Sequence, residues 1–183
     1  MRHDNRTGRV HGARWAPSTN FDDRPRGARI NALVVHCISL PPGQYGGGEI
    51  ERFFCNCLDH RAHPYFEEIR DMRVSAHFLI RRDGELIQFV STLDRAWHAG
   101  RSMLDGEPEV NDFSIGIELE GTDDQGYMDA QYEVLTRLSH ALLTAYPAIT
   151  QNRIVGHCDV APDRKTDPGP GFDWRRFYRD VGD

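Results

Sequence analysis

The chain has 183 residues, 39% of them hydrophobic and 27% charged, with a formal net charge of −6. That length supports one buried core rather than two full domains, and the ordinary composition excludes a disordered or fibrous protein. The acidic balance disfavours the long basic face that nucleic-acid binding needs, and no run approaches the roughly 18 apolar residues of a membrane span.

The opening Met1-Arg-His-Asp-Asn-Arg6 lacks the apolar run of a signal peptide, so a cytoplasmic location is expected. Cys37, Cys55, Cys57 and Cys158 match no secreted disulfide pattern, and the Cys55-x-Cys57 spacing is not that of a metal knuckle, so all four read as free thiols. The short basic runs Arg24 to Arg29 and Arg81-Arg82 read as solvated surface.

In chain order, residues 1–29 are rich in Arg, Gly, Pro and Asn without a sustained period. They predict an irregular arm packed on a domain of residues 30–183. Ala32 to Ile38 is a short, nearly continuous apolar run with β-branched residues, the signature of a central strand covered on both faces. His36 interrupts it near its end and is either satisfied by a backbone partner or a ligand. The Gly/Pro-rich loop 41–48 follows where open sheets often bind ligands. Ile50, Phe53, Phe54, Cys57 and Leu58 fall on one helical stripe, while His60 and His63 lie in a polar loop and read as surface residues.

Asp83-Gly84 between Phe78 to Arg82 and Glu85 to Val90 predicts a β-hairpin. Ser114 to Glu120 alternates, with Ile115, Ile117 and Leu119 on one face and Gly116, Glu118 and Glu120 on the other. A strand that aims glutamates inward leaves either a wet face or a partnered carboxylate, and Glu118, in mid-strand, is the better candidate for a buried role. From Asp129, read as an N-cap, an amphipathic helix carries Leu135, Leu138 and Leu142 and stops at Pro147. Arg153 to His157 predicts a short strand that delivers the loop 156–170, whose prolines and glycines deny it regular structure. The mixture without strict βαβ alternation predicts a single α+β (mixed α/β) domain with a central mixed β-sheet flanked by helices.

His36, His157 and Asp167 together offer two imidazoles and a carboxylate, a donor set that suits Zn²⁺ and leaves a fourth position for water. Glu118 can then move the proton of an attacking water, and Lys165 can stabilise an oxyanion, which describes an amide hydrolase. Read from its own segment alone, His157 is equally compatible with an incidental histidine on a surface loop.

The stretches Leu33-Val-Val-His36, Ile38 to Gly43, Val74 to Ile80, Arg95-Ala-Trp-His-Ala-Gly100, Asn111 to Thr122 and Gly156 to Pro168 resemble the AmpD family. These are cytoplasmic zinc-dependent N-acetyl-anhydromuramoyl-L-alanine amidases within the wider amidase and peptidoglycan-recognition fold, and the likeness runs from about Val10 to Tyr178. The resemblance implies zinc ligands at His36, His157 and Asp167, and catalytic roles for Glu118 and Lys165. It also implies ligand contacts from Arg73 and Arg164, with Trp97 and His98 lining the cleft, although Trp97 fits a core position as well. It further implies an anhydro-muropeptide substrate, a place in peptidoglycan recycling and restraint of β-lactamase induction.

One departure is Cys37, where many members have Asn. If that position meets substrate, the thiol forgoes a hydrogen bond worth roughly 0.5–1.5 kcal/mol. The few apolar residues expected on the surface favour a monomer. The alternatives are an amidase of intact cell wall, a non-catalytic binding module on the same fold, and a purely structural zinc.

Overall fold

Ala32–Ile38 and Ser114–Glu120 are the two long strands of the sheet, and they run side by side in parallel with Glu118 opposite His36. One is a continuous apolar run and the other alternates, yet every residue of Ser114–Glu120 is buried. The chain is described by a computed structural model over residues 1–182, so Asp183, the end of the expected domain, lies outside the described residues.

The sheet strands, in chain order, are β1 (Arg14–Trp15), β2 (Ala32–Ile38), β3 (Phe78–Ile80), β4 (Leu86–Gln88), β5 (Ser114–Glu120) and β6 (Ile154–Gly156). Their spatial order is β6-β2-β5-β3-β4-β1, parallel throughout except for the antiparallel β3/β4 hairpin. Five α-helices among the described residues accompany it: α1 (Glu49–Phe54), α2 (Pro64–Glu68), α3 (Asp129–Ala145), α4 (His157–Val160) and α5 (Trp174–Gly182). This is the single mixed α/β domain expected.

On one face, Leu33, Val35, Ile115, Ile117 and Leu119 pack with Leu135, Leu138 and Leu142 of α3 and Phe177 of α5. Each such side chain contributes about 1.5–3 kcal/mol on full burial, so this face anchors the domain. On the other, Leu79 and Ile87 meet Ile50, Phe53 and Phe54 of α1, while Val34 meets Ala99, Val110 and Val160. His36 and Glu118 share this second face, because they pair across β2 and β5.

Several expectations need correction. The stripe from Ile50 does not continue as helix to Leu58: α1 ends at Phe54, Asn56 takes a left-handed φ of 58°, Cys57 is exposed, and Leu58 reaches the core from the loop. His63 is not an idle surface residue, since its Nδ1 accepts the Tyr65 N–H at 3.1 Å and caps the unforeseen α2. Met128, rather than Asp129, occupies the N-cap of α3, and its N–H donates to Gln131 Oε1 at 3.0 Å. The 156–170 segment is not wholly irregular, because α4 makes one turn before Pro162 can stop it.

The arm is not irregular either. Arg2–Asp4 pairs with Arg9–His11, β1 closes the sheet edge, and Phe21–Asp22 pairs with Arg95–Ala96. Nor are its arginines all solvated. The Arg24 guanidinium donates to the carbonyls of Asn111 (3.0 Å), Asp112 (3.0 Å) and Ser114 (2.9 Å), with weaker bonds to Thr92. Arg81 is buried, 3.5 Å from the buried carboxylate of Glu120. Glu120 also accepts the N–H groups of Gly46 (2.7 Å) and Arg82 (3.1 Å), so the second strand glutamate has a structural use.

Candidate metal centre and active site

Because β6 runs parallel beside β2, their C-terminal ends lie together, and His36 near the end of β2 meets His157, which follows β6 as the first residue of α4. Asp167 arrives from the Pro-rich loop. That loop is tied down on both sides: Cys158 N–H donates to the Asp167 carbonyl at 2.9 Å, and Tyr127 O–H donates to that of Pro168 at 2.8 Å. Gly169, at φ 75°, lies so close to Asp123 that an added Cβ would come within 2.2 Å of the Asp123 carbonyl oxygen. Only glycine fits that approach.

The three side chains converge. His36 Nδ1 and His157 Nδ1 lie 2.9 Å apart, and Asp167 Oδ2 is 3.2 Å from the first and 3.1 Å from the second. A tetrahedral zinc with bonds of 2.0–2.1 Å has donor atoms about 3.3 Å apart, so this triangle fits such an ion. Among the described residues this is the one cluster of metal-binding side chains. The remaining ring nitrogens are engaged by protein: His36 Nε2 is 3.0 Å from His98 Nδ1, and His157 Nε2 is 3.2 Å from the Ala99 carbonyl.

The electrostatics suit metal binding, which needs neutral imidazoles and an ionised carboxylate. Burial depresses His36 to about 4, against the opposing pull of Asp167. Burial would raise Asp167, but its close approach to His157 and then His36 outweighs it and holds the carboxyl well below its ordinary range. Glu118 moves the other way. Burial first, and then the charge of Asp167, lift it well above the usual carboxyl value, with Lys165 opposing. Its buried Oε2 has no hydrogen-bond partner among the described residues.

A cleft of about 350 Å³ opens over the triangle, lined by Glu118 and Lys165 together with Tyr65, Trp97 and Cys37. His36, His157, Asp167, Glu118 and Lys165 are thus brought into one place. Cys37 lies at the cleft margin, half-buried against the helix-covered core, and burial pushes its thiol up to about 12. The other expected contact residues fall differently. His98 borders the cleft, but its Nδ1 faces His36 and its Nε2 lies 3.2 Å from Ser114 Oγ, so neither ring nitrogen is free for a ligand. Arg73 is exposed beside the cleft, donating to the Arg70 and Met72 carbonyls, both at 3.0 Å. Arg164 is also exposed, and its Nη2 donates to the carbonyls of Ala99 and Arg101.

The sequence reading passed over Tyr65 on the cleft wall, and Asn111, Ser114 and Gly116 behind the histidines. For Gly116 a signal existed, since a glycine inside a strand marks close approach by another group.

Two imidazoles and a carboxylate at one end of an open cleft, with an unpaired buried glutamate beside them, define a metal-assisted hydrolase site. The chain belongs to the N-acetylmuramoyl-L-alanine amidase family, whose profile matches residues 26–170. It is 57% identical to the 1,6-anhydro-N-acetylmuramyl-L-alanine amidase AmpD of Escherichia coli over 91% of this chain and 90% of that one. The crystal structure of a selenomethionine AmpD derivative superposes with a TM-score of 0.95 at 54% identity, covering 99% of both chains. More distantly, the fold matches E. coli AmiD in complex with anhydro-N-acetylmuramic acid-L-Ala-D-γ-Glu-L-Lys, with a TM-score of 0.62 and 25% identity over 89% of this chain and 66% of that one.

Proposed function

We propose that this amidase hydrolyses the amide bond between the lactyl group of 1,6-anhydro-N-acetylmuramic acid and L-alanine in muropeptides, as a step of peptidoglycan recycling that also restrains β-lactamase induction. The observation that carries the reading is the triangle of His36 Nδ1, His157 Nδ1 and Asp167 Oδ2 in the cleft that also holds Glu118 and Lys165. Strong similarity to AmpD across 90% of its length supports the substrate, and the AmiD complex supports an anhydromuropeptide in a cleft of this fold.

In this reading His36, His157 and Asp167 hold zinc, which supplies a Lewis acid and an acidified water at neutral pH. Glu118 takes the proton of the attacking water and passes it to the leaving alanine nitrogen. Its raised proton affinity, a result of burial, suits that transfer. The Lys165 ammonium faces the charge that develops on the carbonyl oxygen. Trp97 offers an indole to the sugar or lactyl face. Arg73 and Arg164 keep the rest of their guanidinium donors for a stem-peptide carboxylate, since each holds its carbonyls through one terminal nitrogen, Nη1 of Arg73 and Nη2 of Arg164. In the same proposal the enzyme works in the cytoplasm, as a monomer, on imported muropeptides.

Mass spectrometry of the purified protein with anhydro-muramoyl tripeptide, with and without chelator and zinc add-back, tests the proposal. Free tripeptide should appear, stop in chelator and return with zinc. Intact muropeptide throughout, from folded zinc-loaded protein, would overturn it in favour of a binding module or a polymeric wall substrate.

A further inference from the structure

Behind His36 runs a hydrogen-bond chain with a fixed direction. The Val110 carbonyl can only accept, so the Ser114 hydroxyl, 2.6 Å away, must donate to it. Ser114 Oγ can then only accept from His98 Nε2 at 3.2 Å, which places the single proton of the buried His98 ring on Nε2 and leaves Nδ1 as an acceptor. His98 Nδ1 faces His36 Nε2 at 3.0 Å, so His36 carries its proton on Nε2 and turns an unprotonated Nδ1 toward His157 and Asp167. One backbone carbonyl thereby dictates the tautomer of a histidine two side chains away.

The chain is held on every side. An added Cβ at Gly116 would lie 2.4 Å from His98 Cγ, so the ring rests directly on the strand backbone. Asn111 Oδ1 accepts the N–H groups of His98 (3.2 Å) and Ala99 (2.8 Å), and Arg24 grips the Asn111, Asp112 and Ser114 carbonyls.

We propose that His98 is a positioning residue: it locks His36 in the Nε2–H tautomer, keeps Nδ1 free for the cation, and takes its own direction from Ser114 and the Val110 carbonyl. This rests on the assignment of His36 as a zinc ligand. It gives His98 a task other than touching substrate, and that task is present before any substrate arrives.

The test uses the full chain labelled with ¹⁵N-histidine and needs no turnover. Imidazole ¹⁵N shifts of the metal-free protein report the His36 tautomer, and competition against a chelator reports zinc affinity. His98→Phe keeps a ring and removes the acceptor, whereas His98→Asn keeps an acceptor near the Nδ1 position. His98→Phe should weaken zinc binding by about 10–100-fold and let His36 populate the Nδ1–H form, while His98→Asn should stay within about threefold of wild type. If His98→Phe does not fold, as judged by near-UV circular dichroism, Ser114→Ala decides. Freed from its acceptor, His98 should reverse its tautomer and raise the Nδ1–H population of His36.

Unchanged His36 shifts and zinc affinity in folded His98→Phe, or unchanged His36 shifts in Ser114→Ala, would overturn the proposal. So would equal weakening by Asn and Phe, the mark of a merely space-filling residue. Wild-type protein that binds no zinc would overturn the ligand assignment and this inference with it, whereas zinc held equally by wild type and His98→Phe would overturn the inference alone.

Discussion

Gly116 lies against His98: a methyl group on its Cα would sit 2.4 Å from His98 Cγ and 2.6 Å from Nδ1, the atom that faces His36. The strand beside Glu118 omits a side chain to seat an imidazole. Gly116→Ala should therefore displace His98, cost about 1–3 kcal/mol by overpacking and weaken zinc retention. Thermal unfolding and zinc content measured on the same preparation check both effects. A variant with wild-type stability and full zinc would contradict the packing argument.

Glu118→Gln should retain zinc and lose turnover by about 10²–10⁴-fold. It should also change stability in a pH-dependent way in the metal-free protein. Burial raises the Glu118 carboxyl well above its unfolded value, so the native state holds the proton more tightly than the unfolded state. Stability must then fall as pH rises through the interval between the unfolded and folded values. The amide cannot ionise, so the variant should match wild type below the unfolded value and exceed it at neutral pH. Urea melts of metal-free protein at pH 4 and pH 8 measure the difference.

Asp167→Ala removes one corner of the triangle and leaves the two imidazole nitrogens 2.9 Å apart without their carboxylate. Zinc affinity and turnover should both collapse, and zinc in excess should restore only a small part of the rate. Full activity with stoichiometric metal would remove Asp167 from the ligand set.

Cys37→Asn puts at the cleft margin the amide that the resemblance to the AmpD family leads one to expect. An amide that reaches substrate adds roughly 0.5–1.5 kcal/mol of hydrogen bonding, which lowers KM by roughly 2–10-fold with zinc content unchanged. Steady-state kinetics beside metal analysis distinguish this from an effect on the metal, and an unaltered KM would mean that the side chain does not meet substrate.

Arg24→Met should destabilise the fold by about 3 kcal/mol, because it strips charged donors from the part-buried carbonyls of Asn111, Asp112 and Ser114. Denaturant unfolding with an unchanged m-value checks this, and a near-neutral result would show that water replaces the guanidinium at no cost.

The long strands and the site residues were legible because their signals are local. Ala32 to Ile38 reads as a buried strand from its apolar run, and Ser114 to Glu120 from its alternation. Asp83-Gly84 marks the hairpin. The glutamates stood out because polar groups on a strand's inner face need a use, and Glu120 proves to have a structural one. The donor types of His36, His157, Asp167, Glu118 and Lys165 suggested the chemistry, and resemblance to a family placed them in one site.

Contacts made across long stretches of chain were not legible, because neither period nor propensity encodes them. His36 and His157, 121 residues apart, meet only because β6 pairs in parallel with β2. Arg24 looks like one charge in a basic run until the fold brings it to the Ser114 carbonyl, 90 residues away. His98 does border the cleft, as its sequence context suggested, but sequence gives a histidine's chemistry and not its partners; the contact with Ser114 decides which nitrogen holds the proton. The sequence by itself determined which groups can bind a cation and move a proton, since that capacity belongs to each side chain. Only the tertiary structure decided their distances, burial and tautomers, since these arise from the packing of remote segments.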